Sequence, residues 1–193
     1  MKNRIGFLLL LSCLAGAVHA VEVAGVKLED KARVTAAGQE LVLNGAGLRT
    51  KVFFKVYVAA LYVAEKKTGA SEVLALKGPK RVLLTTVRDL TAEQLVDALN
   101  DGIRDNNGPA DLERLKPQID ALNAIMLAAK EAAKGSVIAL DWLPESGTRV
   151  TINGEARGAP ITGEDFYAAL LRIWLGEKPV EASLKRALLG GAQ

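Results

Sequence analysis

Half of the chain's 193 residues are hydrophobic, 24% are charged and 5% are aromatic. This is a globular composition whose interior must rest on Leu, Val and Ala, and its length suits one ordinary domain. The formal charge is only +3, and there is neither a Lys/Arg run nor a basic stretch interleaved with aromatics, so nucleic-acid binding is disfavoured.

The first twenty residues form a unit of their own. Met1-Lys2-Asn3-Arg4 is basic, Ile5 to Leu14 is apolar but too short to span a bilayer, and Ala17-Val18-His19-Ala20 supplies the small residues that precede cleavage. The pattern predicts a secretory signal peptide over residues 1–20 and a mature domain over 21–193, periplasmic or secreted and with no stable membrane insertion after cleavage. An uncleaved N-terminal anchor is the alternative. Cleavage removes Lys2 and Arg4, which takes the charge from +3 to +1, and with them the only cysteine, Cys13, and the only histidine, His19. The mature chain then excludes disulfides, Ser-His-Asp and Cys-His nucleophiles, and zinc or copper sites built on imidazole or thiolate. Acid–base chemistry is left to Asp, Glu, Lys, Tyr or Arg.

Val21 to Leu28 alternates loosely and predicts a strand. Glu40 to Val63 is rich in Val, Phe, Tyr and Leu. Asn44-Gly45-Ala46-Gly47 interrupts it, which implies a bend, a bulge or a close backbone approach. Val52 to Val63 reads as one strand buried on both faces. A short helix is predicted over Gly69–Leu76 and a strand over Arg81–Val87. Thr91-Ala92-Glu93-Gln94 has the capping-box form and opens a helix that ends near Asp105-Asn106-Asn107-Gly108-Pro109. A helical stretch over Asp111–Lys134 should be split or kinked at Pro117. Three strands follow over Ser136–Trp142, Thr148–Asn153 and Glu155–Ile161, the last two joined by an Asn153-Gly154 hairpin turn. A helix capped by Thr162-Gly163-Glu164-Asp165 runs to Leu175, and a final one covers Glu181–Leu189. The order predicts an α+β fold, with an antiparallel sheet and the helices gathered in two blocks.

Few residues in this pattern suggest chemistry. Gly45-Ala46-Gly47 lacks the rest of a phosphate loop, and Asp105–Asp111 has Pro109 where a calcium ligand belongs. Arg49 stands out in an apolar strand region. It is either an arginine at a turn, with its guanidinium in water, or a fork lining a pocket for a carboxylate or oxyanion. Tyr57 shares a face with Arg49 if the strand is regular, and Tyr62 then does not; a single bulge reverses that assignment.

Two stretches together resemble the chalcone isomerase superfamily. One is Leu43-Asn44-Gly45-Ala46-Gly47-Leu48-Arg49-Thr50-Lys51, running on to Lys55-Val56-Tyr57-Val58-Ala59-Ala60-Leu61-Tyr62-Val63. The other is Phe166-Tyr167-Ala168-Ala169-Leu170-Leu171-Arg172-Ile173-Trp174-Leu175-Gly176-Glu177-Lys178-Pro179-Val180, closing with Leu184-Lys185 and Leu188-Leu189-Gly190. The likeness is greatest to a bacterial secreted, non-catalytic branch. It implies a chalcone isomerase-like open-faced β-sandwich, an antiparallel sheet covered by helices on one face with a ligand cleft between. Arg49 stands where the isomerases carry the arginine that polarises the chalcone. Their strand threonine falls at Tyr57, their helix tyrosine and asparagine near Leu95 and Gly102 (or, with a slip of two, at Asn100), and their late-helix threonine at Ile173 beside Trp174.

The resemblance therefore implies binding rather than catalysis. The expected ligand is a small amphipathic anion, either a fatty acid or a planar carboxylated ring system, with Arg49, Tyr57, Tyr62, Ile173 and Trp174 as candidate ligand-binding residues. No cofactor is required. Heme is the tetrapyrrole to consider, and its iron would draw on Tyr57, Tyr62, Tyr167, Met126 or Lys, or on no protein ligand. The alternatives are a chalcone-type intramolecular lyase acting on a phenolic substrate and a structural partner of an envelope complex.

Overall fold

The structure is a computed structural model that describes residues 20–34 and 39–192. The predicted signal peptide, with Cys13 and His19, lies outside the described residues except for Ala20. Strands β1 (Ala20–Val23), β2 (Val26–Glu29), β3 (Lys31–Arg33), β4 (Glu40–Lys51) and β5 (Phe54–Val63) come first. Then follow α1 (Ala70–Ala75), β6 (Lys80–Thr86), β7 (Leu90–Thr91), α2 (Ala92–Asn106), α3 (Pro109–Arg114), α4 (Lys116–Leu127) and β8 (Glu131–Ala132). The chain closes with β9 (Val137–Leu143), β10 (Gly147–Ile152), β11 (Glu155–Ile161), α5 (Glu164–Leu175) and α6 (Ala182–Leu188).

Seven strands form one antiparallel sheet in the order β11-β10-β9-β6-β5-β4-β3. Alternation along each strand sends the two faces to different cores. Ala59, Leu61 and Val63 of β5, Val82 and Leu84 of β6, and Ile138, Leu140 and Trp142 of β9 pack with α2, α4 and α5 into the larger core. Val58, Ala60 and Tyr62 face the other way and join Leu28, Val34, Leu41 and Leu43 in a smaller core, against which Val23 and Val26 of the β1–β2 hairpin also pack. On this second face, register places Asp141 opposite both Arg81 and Arg149. Arg81 Nε and Nη2 donate to the fully buried Asp141 carboxylate at 2.6 and 2.8 Å, and Arg149 Nη2 donates at 3.1 Å.

The local chemistry behaves as its residue types require at most junctions. Thr91 Oγ1 accepts from Gln94 N at 3.3 Å and Gln94 Oε1 from Thr91 N at 3.2 Å, which closes the capping box. Pro117 splits the long helical stretch, with α3 ending and α4 beginning around Leu115. Helix α4 stops at Leu127, short of the expected Lys134, and the chain then forms β8, which pairs with β7.

Two further sequence expectations fail. Val21–Leu28 is a hairpin and not a single strand, because Ala24 and Gly25 both take positive φ and turn the chain. The apolar run from Val52 begins with a turn, so β5 starts only at Phe54. No Gly or Asn announces that turn, yet Val52 sits at φ +59°.

Both readings of Asn44-Gly45 hold at once. The β4–β5 register shifts between Leu43 and Gly45, which marks a bulge at Asn44. Asn44 Nδ2 then donates to Leu188 O at 2.7 Å and Lys67 O at 2.9 Å, while its Oδ1 accepts from Lys67 N at 2.7 Å. Gly45 lies under the end of α6, and a Cβ there would collide with the Ala187 carbonyl. The bulge and the glycine together seat α6 on β4.

Candidate functional site

A cavity of about 300 Å³ opens between the sheet and the helices. Its sheet wall includes Arg49, Tyr57, Leu84 and Leu140, and its helix wall includes Leu95, Leu99, Met126, Ile173 and Trp174. Lys51, Asp101, Asp105 and Lys178 add charged groups to the lining. Such a hollow, apolar with a few convergent polar groups, is the usual form of a small-molecule site.

Arg49 and Tyr57 are direct cross-strand partners on β4 and β5. Both therefore point to the helix-covered face. The guanidinium is mostly buried, its side chain 19% exposed, and it is not left alone. Its Nη1 donates to the Thr50 carbonyl and, at 3.1 Å, to Glu181 Oε2. Glu181, at the N-terminus of α6, also accepts from Thr50 N at 2.7 Å and from Ser183 Oγ at 2.7 Å. Partial burial works to raise the Glu181 pKa, but the Thr50 N–H, the Ser183 hydroxyl and Arg49 outweigh it and hold the carboxyl below its usual range. With Nη1 committed, the Nε and Nη2 edge of Arg49 has no protein acceptor among the described residues. That edge is the one that takes a carboxylate side-on.

Tyr57 is oriented by Trp174, whose Nε1 donates to the phenolic oxygen at 3.0 Å. Indole nitrogen can only donate, so the Tyr57 oxygen must accept and its own proton is free to point elsewhere. Burial pushes the phenol above its usual pKa, against the lowering effect of the Trp174 hydrogen bond and the nearby Arg49. The group stays a neutral donor at physiological pH. Guanidinium edge and phenol proton together suit an anionic head group, and the surrounding side chains suit a hydrocarbon body.

Four of the five candidate residues (Arg49, Tyr57, Ile173 and Trp174) line this cavity. Tyr62 does not, and that part of the expectation is corrected. It lies five positions from Tyr57 on an unbulged strand, so it faces the opposite core, where its hydroxyl donates to Glu29 O at 3.0 Å. Burial there pushes its pKa up to about 12. Of the candidate iron ligands, Tyr57, Met126 and the lysines Lys51 and Lys178 line the cavity. Tyr167 is instead buried against Trp142 and donates to Leu140 O at 3.1 Å. Among the described residues there is no group of three His, Cys, Asp or Glu side chains that could hold a metal ion.

Of the positions where the resemblance implies polar groups, Arg49 and Tyr57 keep them, and the helix positions do not. Leu95, Gly102 and Ile173 are all on the wall. Asn100 is not part of it, and its Oδ1 is buried without a partner. A Cβ on Gly102 would come within 2.7 Å of Ile173 Cγ2, so the glycine is what lets α2 close on that side chain.

The residue that sequence reasoning missed is Glu181. It stands 132 positions from Arg49, and only the seating of α6 by Asn44 and Gly45 brings the two together. No local pattern reports such a pair.

An open-faced sandwich with a cleft between sheet and helices is thus the architecture, and comparison with known proteins agrees. Residues 20–190 match the chalcone isomerase-like family. The chain belongs to that family. Among solved structures, its fold is similar to that of a fatty-acid binding protein from Arabidopsis thaliana, with a TM-score of 0.64 and 15% identity over 89% of this chain and 96% of that one. No curated protein matches the sequence.

Proposed function

We propose that the protein is a non-catalytic binding protein for a small amphipathic anion, held with its carboxylate on Arg49 and Tyr57 and its apolar body against Leu95, Leu99, Ile173 and Trp174. The observation that carries this reading is the Trp174–Tyr57 hydrogen bond beside a guanidinium whose carboxylate-binding edge is free. It presets two donors of the right kind beside the apolar side chains of the hollow. The same geometry argues against ring-closing catalysis. The wall offers Leu95, Gly102 and Ile173 where polar groups would have to order substrate and water, and the raised phenol of Tyr57 is a poor base.

A fatty acid is the ligand class best supported. The apolar wall suits an acyl chain, and the similar fold from Arabidopsis thaliana is that of a fatty-acid binding protein. A carboxylated tetrapyrrole would use the same two donors. The signal-peptide pattern of residues 1–20 supports a periplasmic or extracellular location.

The test is native mass spectrometry of the protein purified without detergent, followed by organic extraction. A bound carboxylated amphiphile, absent from Arg49→Ala prepared in parallel, is the expected result; a tetrapyrrole would declare itself by visible absorbance. An empty protein that takes up no added fatty acid overturns the reading, as does conversion of a chalcone above background that Arg49→Ala abolishes.

A further inference from the structure

Val52, Phe53 and Phe54 are three consecutive large apolar side chains at the tip of the β4–β5 hairpin, and they are 76%, 92% and 63% exposed. Scattered exposed apolar residues need no explanation, but a contiguous cluster at a loop tip does. The turn chemistry sharpens the point. The β10–β11 hairpin turns on Asn153-Gly154 and the β1–β2 hairpin on Ala24-Gly25, with both residues of each pair at positive φ. The β4–β5 hairpin instead places the β-branched Val52 at φ +59°, a conformation such residues resist. Polar turn residues would solve the backbone problem more cheaply. The apolar side chains are therefore there for what they touch.

The flanks carry the complementary signal. Lys51 and Lys55 bracket the tip, and neither is ion-paired among the described residues. The Arg88 guanidinium lies over the Phe54 ring, 5.4 Å from its centroid. Asp89, the acidic neighbour of Arg88, accepts the Lys134 N–H on Oδ1 at 2.7 Å. Exposed aromatics ringed by cations match the headgroup region of an anionic bilayer, where rings sit at the acyl boundary and cations meet phosphates. Asp101 and Asp105, the acids of the cavity lining, stand on α2 and not on the hairpin. The hairpin also adjoins the cavity, because Arg49, Lys51, Val56 and Tyr57 on its two arms all line it.

We propose that the Val52–Phe54 tip inserts into the surface of an anionic lipid bilayer and so brings the mouth of the cavity to the membrane, from which a ligand can enter. The insertion itself rests on the hairpin alone. Only the idea of ligand entry depends on the binding function proposed above.

The test uses vesicles of phosphatidylglycerol and phosphatidylethanolamine, with the mature chain and its Phe53→Ser/Phe54→Ser variant compared by co-flotation. Both side chains are outside the cavity, so uptake of a fluorescent fatty acid in lipid-free buffer should be unchanged in the variant, which also confirms that it folds. The expected result is flotation of the parent protein that weakens as salt is raised and falls at least tenfold in the variant. In a Phe53→Trp variant, quenching by lipids brominated along the acyl chain should place the tip below the headgroups. Failure of the parent protein to float with these vesicles overturns the proposal. So does sedimentation that reveals a dimer abolished by Phe53→Ser/Phe54→Ser, since the tip would then be an interface between two copies. Vesicle binding without fatty-acid uptake would sink the binding function and leave the insertion standing.

Discussion

Replacing Arg49 by Ala is the sharpest perturbation of the binding reading, and the structure supplies its size. Two charge-assisted hydrogen bonds from the free Nε and Nη2 edge are worth about 1.5–3 kcal/mol each. The guanidinium keeps some contact with water, which reduces the sum, and a net of about 2–3 kcal/mol remains. That corresponds to a loss of affinity of roughly 30- to 150-fold. The apolar contribution should stay, since an acyl chain with about ten buried methylenes gains about 8 kcal/mol before association costs of at least about 4 kcal/mol. Truncation also strands Glu181 beside the head group, a like charge that worsens the loss. Arg49→Ala/Glu181→Gln should therefore regain part of the affinity, while Arg49→Lys, which keeps the charge but not the fork, should lie between. The assay is fluorescence titration with a polyene fatty acid and with its methyl ester. The parent protein should prefer the acid and Arg49→Ala should not distinguish the two. Equal binding of acid and ester by the parent protein, or an Arg49→Ala affinity within about twofold of it, would refute the reasoning.

Three further outcomes follow from individual contacts. Tyr57→Phe leaves the buried Trp174 Nε1–H without its acceptor and should cost about 1–3 kcal/mol in urea unfolding; adding Trp174→Phe should cost less than the two single changes together, the mark of a coupled pair. Glu181 has a lowered folded pKa, so the stability it contributes is fully present above its ordinary value of 4.5 and drains away as pH falls through the lower folded value. Stability measured against pH should show that acid limb in the parent protein and a flatter one in Glu181→Gln. Gly45→Ala drives a methyl group into the Ala187 carbonyl and should cost about 1–3 kcal/mol. Because it lifts α6, it should also weaken fatty-acid binding in the titration above, although residue 45 is not part of the cavity wall.

The sequence made the elements legible where side chains act on their own backbone. Thr91 and Gln94 close a helix end, Asn153-Gly154 turns a hairpin and Pro117 breaks a helix, and each effect is complete within four residues. It was less informative where a turn is made by residues that do not favour one. Val52-Phe53 hid a hairpin inside an apolar run, and Ala24-Gly25 divided what looked like one strand. Strand parity placed Tyr57 and Tyr62 on opposite faces. It holds for the two tyrosines because β5 is regular between them, whereas Arg49 shares the face of Tyr57 through cross-strand pairing, with a turn and the Arg49/Thr50 register shift between them and no single regular strand. What parity could not reach is any pair made by tertiary registration. Asp141 meets Arg81 and Arg149 only once β6, β9 and β10 are aligned, and Glu181 meets Arg49 only once α6 is seated.

That last pairing explains how a cleft of this kind can be stable without a guest. A buried guanidinium with no partner is costly, and a fold that depended on its ligand to neutralise it would be destabilised whenever the ligand left. Glu181 removes that dependence by holding one nitrogen of Arg49 from the side, through a carboxylate itself fixed by Thr50 N and Ser183 Oγ. The opposite edge stays free. At the far wall the space is set by a coupled choice, since Ile173 fits only because residue 102 has no Cβ. Placing a polar side chain at position 102 would therefore require a smaller residue at 173 at the same time. The polar end of the cleft is preorganised by an internal ion pair and the apolar end by a locked pair of helices, an arrangement suited to holding an amphiphile rather than to transforming one.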